Sequence, residues 1–424
     1  MVTMQASKTG PAPALRLLFA SVQRWVESLL LGSVFMFFNK AGRIIVFLCL
    51  ALLVNATYGS ELGGIEFSGS GFLTLAAGEM LGGTRGPVLD RNCPCFVADY
   101  AQGAVYDGRS GPQFGPDSKL GLQGTAKVAA TPFSMTAQAV SRGSQNGEAD
   151  IEWLYANYQL NEDTDIQLGR KRLPMFYYSD IQDVGFALPW IHLPPQLYGW
   201  EAVNYDGGNI THRTRFGDWA ATMNLLAGRE HVDDSGYWQI YNGVQSHTNV
   251  TWDHIFGGDL SLVRDWFEVR FVYIQSDTSR VTTQSYTPVT DPNMLGAVTQ
   301  QKIYSVSCNI DTNDWMARTE LLVIDRPGAN YRDHAQLAAI GRHFGSLLLL
   351  ATISEYRSEA IESMGADPLG QEAHTDRSLT LRYDLNEASD IKVQYDNQID
   401  QGGINWAPEY GNSQLVTLAY DRVF

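Results

Sequence analysis

Polar and apolar residues alternate with a period of two through most of the chain beyond residue 64. Between residues 378 and 385, Thr380, Arg382 and Asp384 alternate with Leu379, Leu381, Tyr383 and Leu385. Between 390 and 397, Lys392, Gln394 and Asp396 alternate with Ile391, Val393 and Tyr395. Successive side chains of a strand point to opposite faces, so each run predicts a β-strand with one charged and one apolar face. Sixteen such segments occur, at 65–76, 119–130, 133–141, 151–160, 165–172, 209–216, 219–227, 247–263, 266–276, 302–310, 315–324, 334–342, 347–356, 378–385, 390–397 and 414–424. Short connections such as Thr131-Pro132, Gly217-Asp218 and Arg264-Asp265 alternate with long ones, although Gly257-Gly258 could be a bulge or mark a different turn. An even number of strands joined in this way predicts an all-β, up-and-down antiparallel transmembrane barrel, with short periplasmic turns and long extracellular loops. Sixteen strands of roughly ten residues need about 160, and the chain beyond residue 58 has room for them and their loops.

The last segment shapes this expectation. From Gln414 to Phe424 no Gly or Pro interrupts the run, and Val416, Leu418, Tyr420, Arg422 and Phe424 share one face. A bare apolar edge strand invites pairing with other chains, and closure of a barrel removes that edge. The run resembles the terminal strand of Gram-negative outer-membrane β-barrels, which finish in Phe, and the resemblance implies Tyr420 and Phe424 as the assembly signal, with Arg422 a departure from that pattern.

Composition agrees with strands rather than helices as the membrane-crossing element. The mean hydropathy is −0.17, and no run of 18 or more apolar residues occurs, which argues against a helical membrane protein. The 20 Tyr, 10 Trp and 18 Phe suit interfacial girdles. Residues 36–59 show a basic start, an apolar stretch at 44–54 and a small-residue end, the three parts of a secretory signal. We therefore read 1–58 as a signal peptide region, either an over-extended start with the true start near Met36 or a genuinely long leader, and 59–424 as the barrel domain. Residues 1–58 hold five of the basic residues and one acidic residue, so the remainder carries 25 basic against 45 acidic residues. That balance excludes nucleic acid as a partner. It suits either solvated acidic loops or loops that bind divalent cations beside lipopolysaccharide.

The polar parity marks the lumen. It places Lys127, Lys171, Arg213, Arg215, Glu268, Arg270, Arg318, Glu320, Arg382 and Asp384 on the inner wall. Charges of both signs on that face favour water over a dry core, because buried unpaired charge is costly. A wide sixteen-stranded interior then implies a channel for small hydrophilic solutes. Cys93 and Cys95 flank Pro94. A Cys-x-Cys bridge closes a very small ring, yet in an oxidising compartment the two can form a loop disulfide.

The stretch from Gly169-Arg170-Lys171-Arg172-Leu173-Pro174 through Tyr178-Ser179-Asp180 and Asp183-Val184-Gly185 to Pro189-Trp190 and Pro194-Pro195 resembles proteobacterial outer-membrane porins. The hairpin around Leu381-Arg382-Tyr383-Asp384-Leu385 and Gln394-Tyr395-Asp396 is similar to them as well. The resemblance implies a homotrimeric, sixteen-stranded diffusion channel in the outer membrane, inserted into lipid by the barrel-assembly machinery, whose third loop folds inward. Read in that light, residues 173–200 form a constriction loop. Its prolines restrict it, Phe176, Tyr177, Phe186 and Trp190 pack on the wall, and Asp180 and Asp183 face the passage opposite basic wall residues. A substrate-specific channel or a ligand-binding surface barrel is the alternative.

Nothing points to catalysis. No His-Glu-x-x-His, Gly-x-Ser-x-Gly or Walker pattern occurs. No Cys or His cluster completes a zinc site, so neither a metal nor any other cofactor is expected.

Overall fold

The computed structural model describes residues 60–62, 64–361, 371–403 and 409–424. The signal segment lies outside them. Sixteen strands form the wall. The first eight are β1 (Ile65–Gly83), β2 (Lys119–Val128), β3 (Phe133–Arg142), β4 (Ala149–Asn161), β5 (Thr164–Arg172), β6 (Asn204–Phe216), β7 (Trp219–Val232) and β8 (His247–Arg264). The second eight are β9 (Phe267–Gln284), β10 (Thr299–Asp311), β11 (Trp315–Arg326), β12 (Tyr331–Phe344), β13 (Leu347–Ala360), β14 (Ala373–Asn386), β15 (Ser389–Asp400) and β16 (Ser413–Val423). Each pairs antiparallel with the next, and β16 returns to β1 in a register running from Phe72↔Val423 to Gly83↔Ser413.

The seam is closed at its lower end by the terminal residue. Phe424 N donates to Gly71 O at 3.0 Å, and Gly71 N donates to Phe424 O at 2.8 Å. A Cβ on Gly71 would lie 2.2 Å from the Phe424 ring, so glycine is what lets that ring lie against β1. Beyond Phe424 the same edge of β1 is taken up by the short strand Ser60–Leu62, which pairs with Ile65 to Phe67. Edge closure is thereby extended past the end of the last strand.

Alternation sets the two faces. Leu154, Leu168, Ile210, Leu225, Phe256, Phe271, Leu321, Ile340, Leu379 and Leu418 point outward and are exposed. Near the turns the same surface carries Phe67, Phe133, Phe216, Trp266, Trp315 and Phe344. A continuous apolar band with aromatic ends suits lipid and not water, so the barrel is a transmembrane one. No helix among the described residues is long and apolar enough to cross a membrane.

Two local features differ from the sequence pattern. The wall strands run from 9 to 19 residues, longer than the expected ten in most cases. They extend past the alternating stretches, and the connection between β11 and β12 shrinks to a tight 3-10 turn at Pro327–Ala329 with Asn330 left-handed at φ 60°. Gly257-Gly258 is not a turn, because β8 passes through it. The irregularity sits at 253–256, where His254 has φ 52°. The two glycines serve close approach, since a Cβ at either would fall about 2 Å from a neighbouring carbonyl, that of Tyr273 or Asn224.

The interior is filled at the loop end. Besides residues 173–203, the first long connection, 84–118, turns inward as two small hairpins, Gly86–Val88 with Arg91–Cys93 and Phe96–Asp99 with Ala104–Tyr106. Cys93 and Cys95 form a disulfide there, and Cys95, Phe96 and Tyr106 are fully buried. A helix, α2 (Gly236–Asn242), contributes Tyr237 and Ile240 to the same cluster as Trp190, Leu197 and Trp200 of the third loop, whose one-turn helix α1 spans Pro195–Tyr198.

The closing contact is testable. Replacing Tyr420 and Phe424 with Asp places charge on the outer face, at a cost below the roughly 2–4 kcal/mol that a basic residue costs at mid-depth. We expect secreted but poorly inserted protein, read as loss of the heat-modifiable band on unboiled gels.

Candidate channel constriction

Residues 173–203 leave the wall after Arg172 and are held by it on nearly every side. Leu173 N bonds Val203 O at 2.9 Å, which pinches the base of the loop. A chain crossing a barrel has no ladder to satisfy its carbonyls, and each one left buried and unbonded costs about 1–3 kcal/mol. Basic side chains of the wall supply the donors. Arg270 donates to Phe176 O at 2.8 Å, Arg382 to Phe186 O at 2.8 Å and Leu188 O at 3.0 Å, and Lys392 to Gly185 O at 2.6 Å. Acidic wall residues accept in turn. Glu320 takes Tyr177 N at 2.9 Å and the Tyr198 hydroxyl at 2.7 Å, while Glu268 takes the Tyr177 hydroxyl at 2.9 Å. Arg318 Nε reaches the Tyr178 hydroxyl at 2.7 Å, and Trp190 Nε1 donates to Thr352 Oγ1 at 2.9 Å. Phe176 and Trp190 are buried on the wall, and the Arg382 guanidinium lies 5.0 Å over the Phe186 ring.

The two acidic residues of the loop part company. Asp180 is exposed in the lumen and acts electrostatically on Lys171, Tyr155 and Arg270. Asp183, expected to face the passage, is instead buried against Arg142, Arg172 and Lys119. Glu152 completes the group, 2.5 Å from Arg142 and 3.1 Å from Arg172. Burial works against the charged carboxyl of Asp183, but the guanidinium groups of Arg142 and Arg172 outweigh it and hold its pKa below the ordinary value. Asp183 is an anchor.

No family model matches the chain, and no curated protein is similar to it. The fold does have solved counterparts. The structure superposes on the outer membrane channel DcaP of Acinetobacter baumannii with a TM-score of 0.55 at 10% identity, over 87% of this chain and 100% of that one. OmpF of Salmonella typhi, solved with daunomycin, gives 0.54 at 10% over the same shares. The anion-selective porin of Comamonas acidovorans gives 0.53 at 11%, over 85% and 100%. The chain has the fold of an outer-membrane porin.

Within this porin fold the inner-wall residues named from the sequence fall into two groups. Arg270, Arg318, Glu320 and Arg382 clamp the loop, and Glu268 joins them through Tyr177; none of the five opens freely onto the lumen. Lys127, Arg213 and Arg215 are exposed, and Lys171 is half-buried with its ammonium 5.1 Å over the Tyr155 ring. Arg213 pairs with Asp165 at 2.5 Å, and Asp384, half-exposed near a turn, with Arg382 at 2.8 Å. Residues outside the pore-lining set named from the sequence complete the clamp, among them Lys119, Arg142, Glu152 and Lys392. Their parity was visible, but not that the loop would come to rest on them. Arg172 turns inward to Asp183, whereas Arg170 reaches Glu230 at 2.8 Å.

His192 joins the two inward loops to the wall. Its Nδ1 lies 3.0 Å from Asp117 of the first loop and its Nε2 3.3 Å from Asp396 of β15, with Tyr106 donating to Asp117 at 2.8 Å. Burial disfavours the imidazolium, but these two carboxylates prevail and raise its pKa well above the ordinary 6.5.

Two outcomes are expected. Asp183→Asn leaves buried guanidinium groups undercompensated and should destabilise the loop, by about 3–5 kcal/mol if the whole pair is broken, whereas Asp180→Asn should leave thermal stability unchanged. Scanning calorimetry of the two variants in detergent separates them. For His192 the sign is that of a raised pKa: its contribution is complete below pH 6.5 and is lost as pH rises through the folded value. Thermal stability should therefore fall on the alkaline side, and His192→Gln should flatten that limb.

Proposed function

We propose that the protein is an outer-membrane channel for passive diffusion of small hydrophilic solutes and ions, without a catalytic role. The observation that carries this reading is the division of the inner wall. Some charges are consumed in fixing the third loop, while Lys127, Arg213 and Arg215 stay exposed on the inner parity of the wall and Lys171, half-buried, interacts electrostatically with exposed Asp180 inside an apolar-faced closed barrel. Such a barrel suits insertion in outer-membrane lipid beneath lipopolysaccharide, with the β16 strand as the segment read by the assembly machinery and a homotrimer as its working form. Lys171 of the wall and Asp180 of the loop carry opposite charge close to one another, which supports a transverse field at the constriction.

A second reading is favoured by one observation, the burial of the first loop beside the third. Two inward loops leave less open area than one, which suits a channel selective for a particular solute. Planar-bilayer recordings test both. A large ohmic conductance without saturation supports general diffusion, saturable block by one solute supports selectivity, and no conductance removes both readings. Asp180→Asn should shift the reversal potential toward anion preference, and deletion within the third loop should raise conductance severalfold.

A further inference from the structure

At the loop end of the barrel, three side chains from separate segments converge away from the constriction. His374 lies at the start of β14, Glu372 just before it, and Glu409 in the connection between β15 and β16. One ligand atom from each lies within 4.8 Å of the others. His374 Nε2 is 3.6 Å from Glu372 Oε1 and 3.5 Å from Glu409 Oε2, and the Tyr100 hydroxyl stands 3.5 Å from the same nitrogen. A tetrahedral metal with bonds of about 2.0–2.1 Å separates its ligand atoms by roughly 3.3–3.4 Å. The two His374–carboxylate spacings are close to that edge length and too long for good hydrogen bonds.

The charge balance at this place is incomplete. The Glu409 side chain is 4% exposed and the His374 side chain 2%, and Glu409 Oε2 has no hydrogen-bond partner. Among the described residues, neither carboxylate has a Lys or Arg in its ion pairs. One buried and one partly buried carboxylate sharing one imidazole leave excess negative charge, which is costly without a cation.

The surroundings are those of a supported ligand set. The Tyr100 hydroxyl donates to Glu409 Oε1 at 2.6 Å and the Tyr241 hydroxyl to Glu372 Oε1 at 3.0 Å, each orienting a carboxylate. Glu409 N is fixed by Asp400 Oδ2 at 3.0 Å, and the Glu372 carbonyl accepts from Ser358 N at 2.9 Å. We propose that Glu372, His374 and Glu409 bind one divalent transition-metal ion of the zinc class, which ties the loops flanking β14 and β16 to each other and to Tyr100 of the buried first loop. One nitrogen and two carboxylate oxygens suit zinc and its borderline neighbours better than magnesium or calcium, which favour six or more oxygen ligands. The fourth position is left to water. The site needs no Cys or His pair at close sequence spacing, which is why the sequence pattern did not disclose it.

The test uses the full mature chain with Cys308→Ser, folded in detergent, stripped with chelator and titrated with zinc by calorimetry in excess magnesium. One zinc per chain is expected, with affinity reduced at least tenfold in Glu409→Gln and in His374→Ala, and more weakly in Tyr100→Phe. Zinc should also raise the thermal midpoint of the parent chain and not of Glu409→Gln. The heat-modifiable band verifies that each variant is folded, and Glu372→Gln provides a third ligand variant should one of the others fail to fold. Absence of stoichiometric binding, or binding unchanged in folded ligand variants, overturns the proposal.

Discussion

A loop carried into the middle of a barrel must satisfy its backbone without a ladder, and the rest of this structure follows from that requirement. The carbonyls of Phe176, Gly185, Phe186 and Leu188 are met by Arg270, Lys392 and Arg382, and the amide of Tyr177 by Glu320. A wall lined with aliphatic residues could not have supplied those donors and acceptors. Lys392 itself is fully buried, and its bonds to Gly185 O and Asp421, with Asp390 3.6 Å away, make that burial tolerable. Much of the inner-wall charge is therefore structural, set by the loop it receives.

This division explains why charge on the lumen face does not equal charge in the passage. Asp180 and Asp183 are three residues apart on the same loop, and the sequence reading placed both in the passage. The 3-10 turn at Ser179–Ile181 leaves Asp180 in the open, while the chain then bends back to bring Asp183 under Arg142 and Arg172. Field and anchor are thus supplied by neighbouring carboxylates. The first loop adds a second inward body, and His192 is the group through which it meets the third loop and β15.

The wall was legible because a period of two survives in nearly every strand and because the last strand ends without a breaker. The inward third loop was legible through its prolines and aromatics, on which the resemblance to porins also rested. The first loop was not. Its Gly- and Pro-rich composition reads as an exposed connection, and only the packing of Phe96, Tyr100 and Tyr106 against wall and loop residues shows it to be interior. Asp183 was misplaced for a related reason: its partners lie on β2, β3 and β5, and long-range ion pairs leave no local pattern. Glu372, His374 and Glu409 are hidden in the same way.

The central claim is that residues 173–203 lie inside the barrel, fixed to its wall, and it can be examined by cross-linking. At Gly185 a Cβ would fall 2.4 Å from the Thr74 hydroxyl of β1. In a Cys308→Ser background, Gly185→Cys with Thr74→Cys should oxidise to an intramolecular disulfide in the membrane-inserted protein and resist a bulky thiol reagent. Failure of the pair to oxidise, with Gly185→Cys freely labelled from the loop side, would contradict the account.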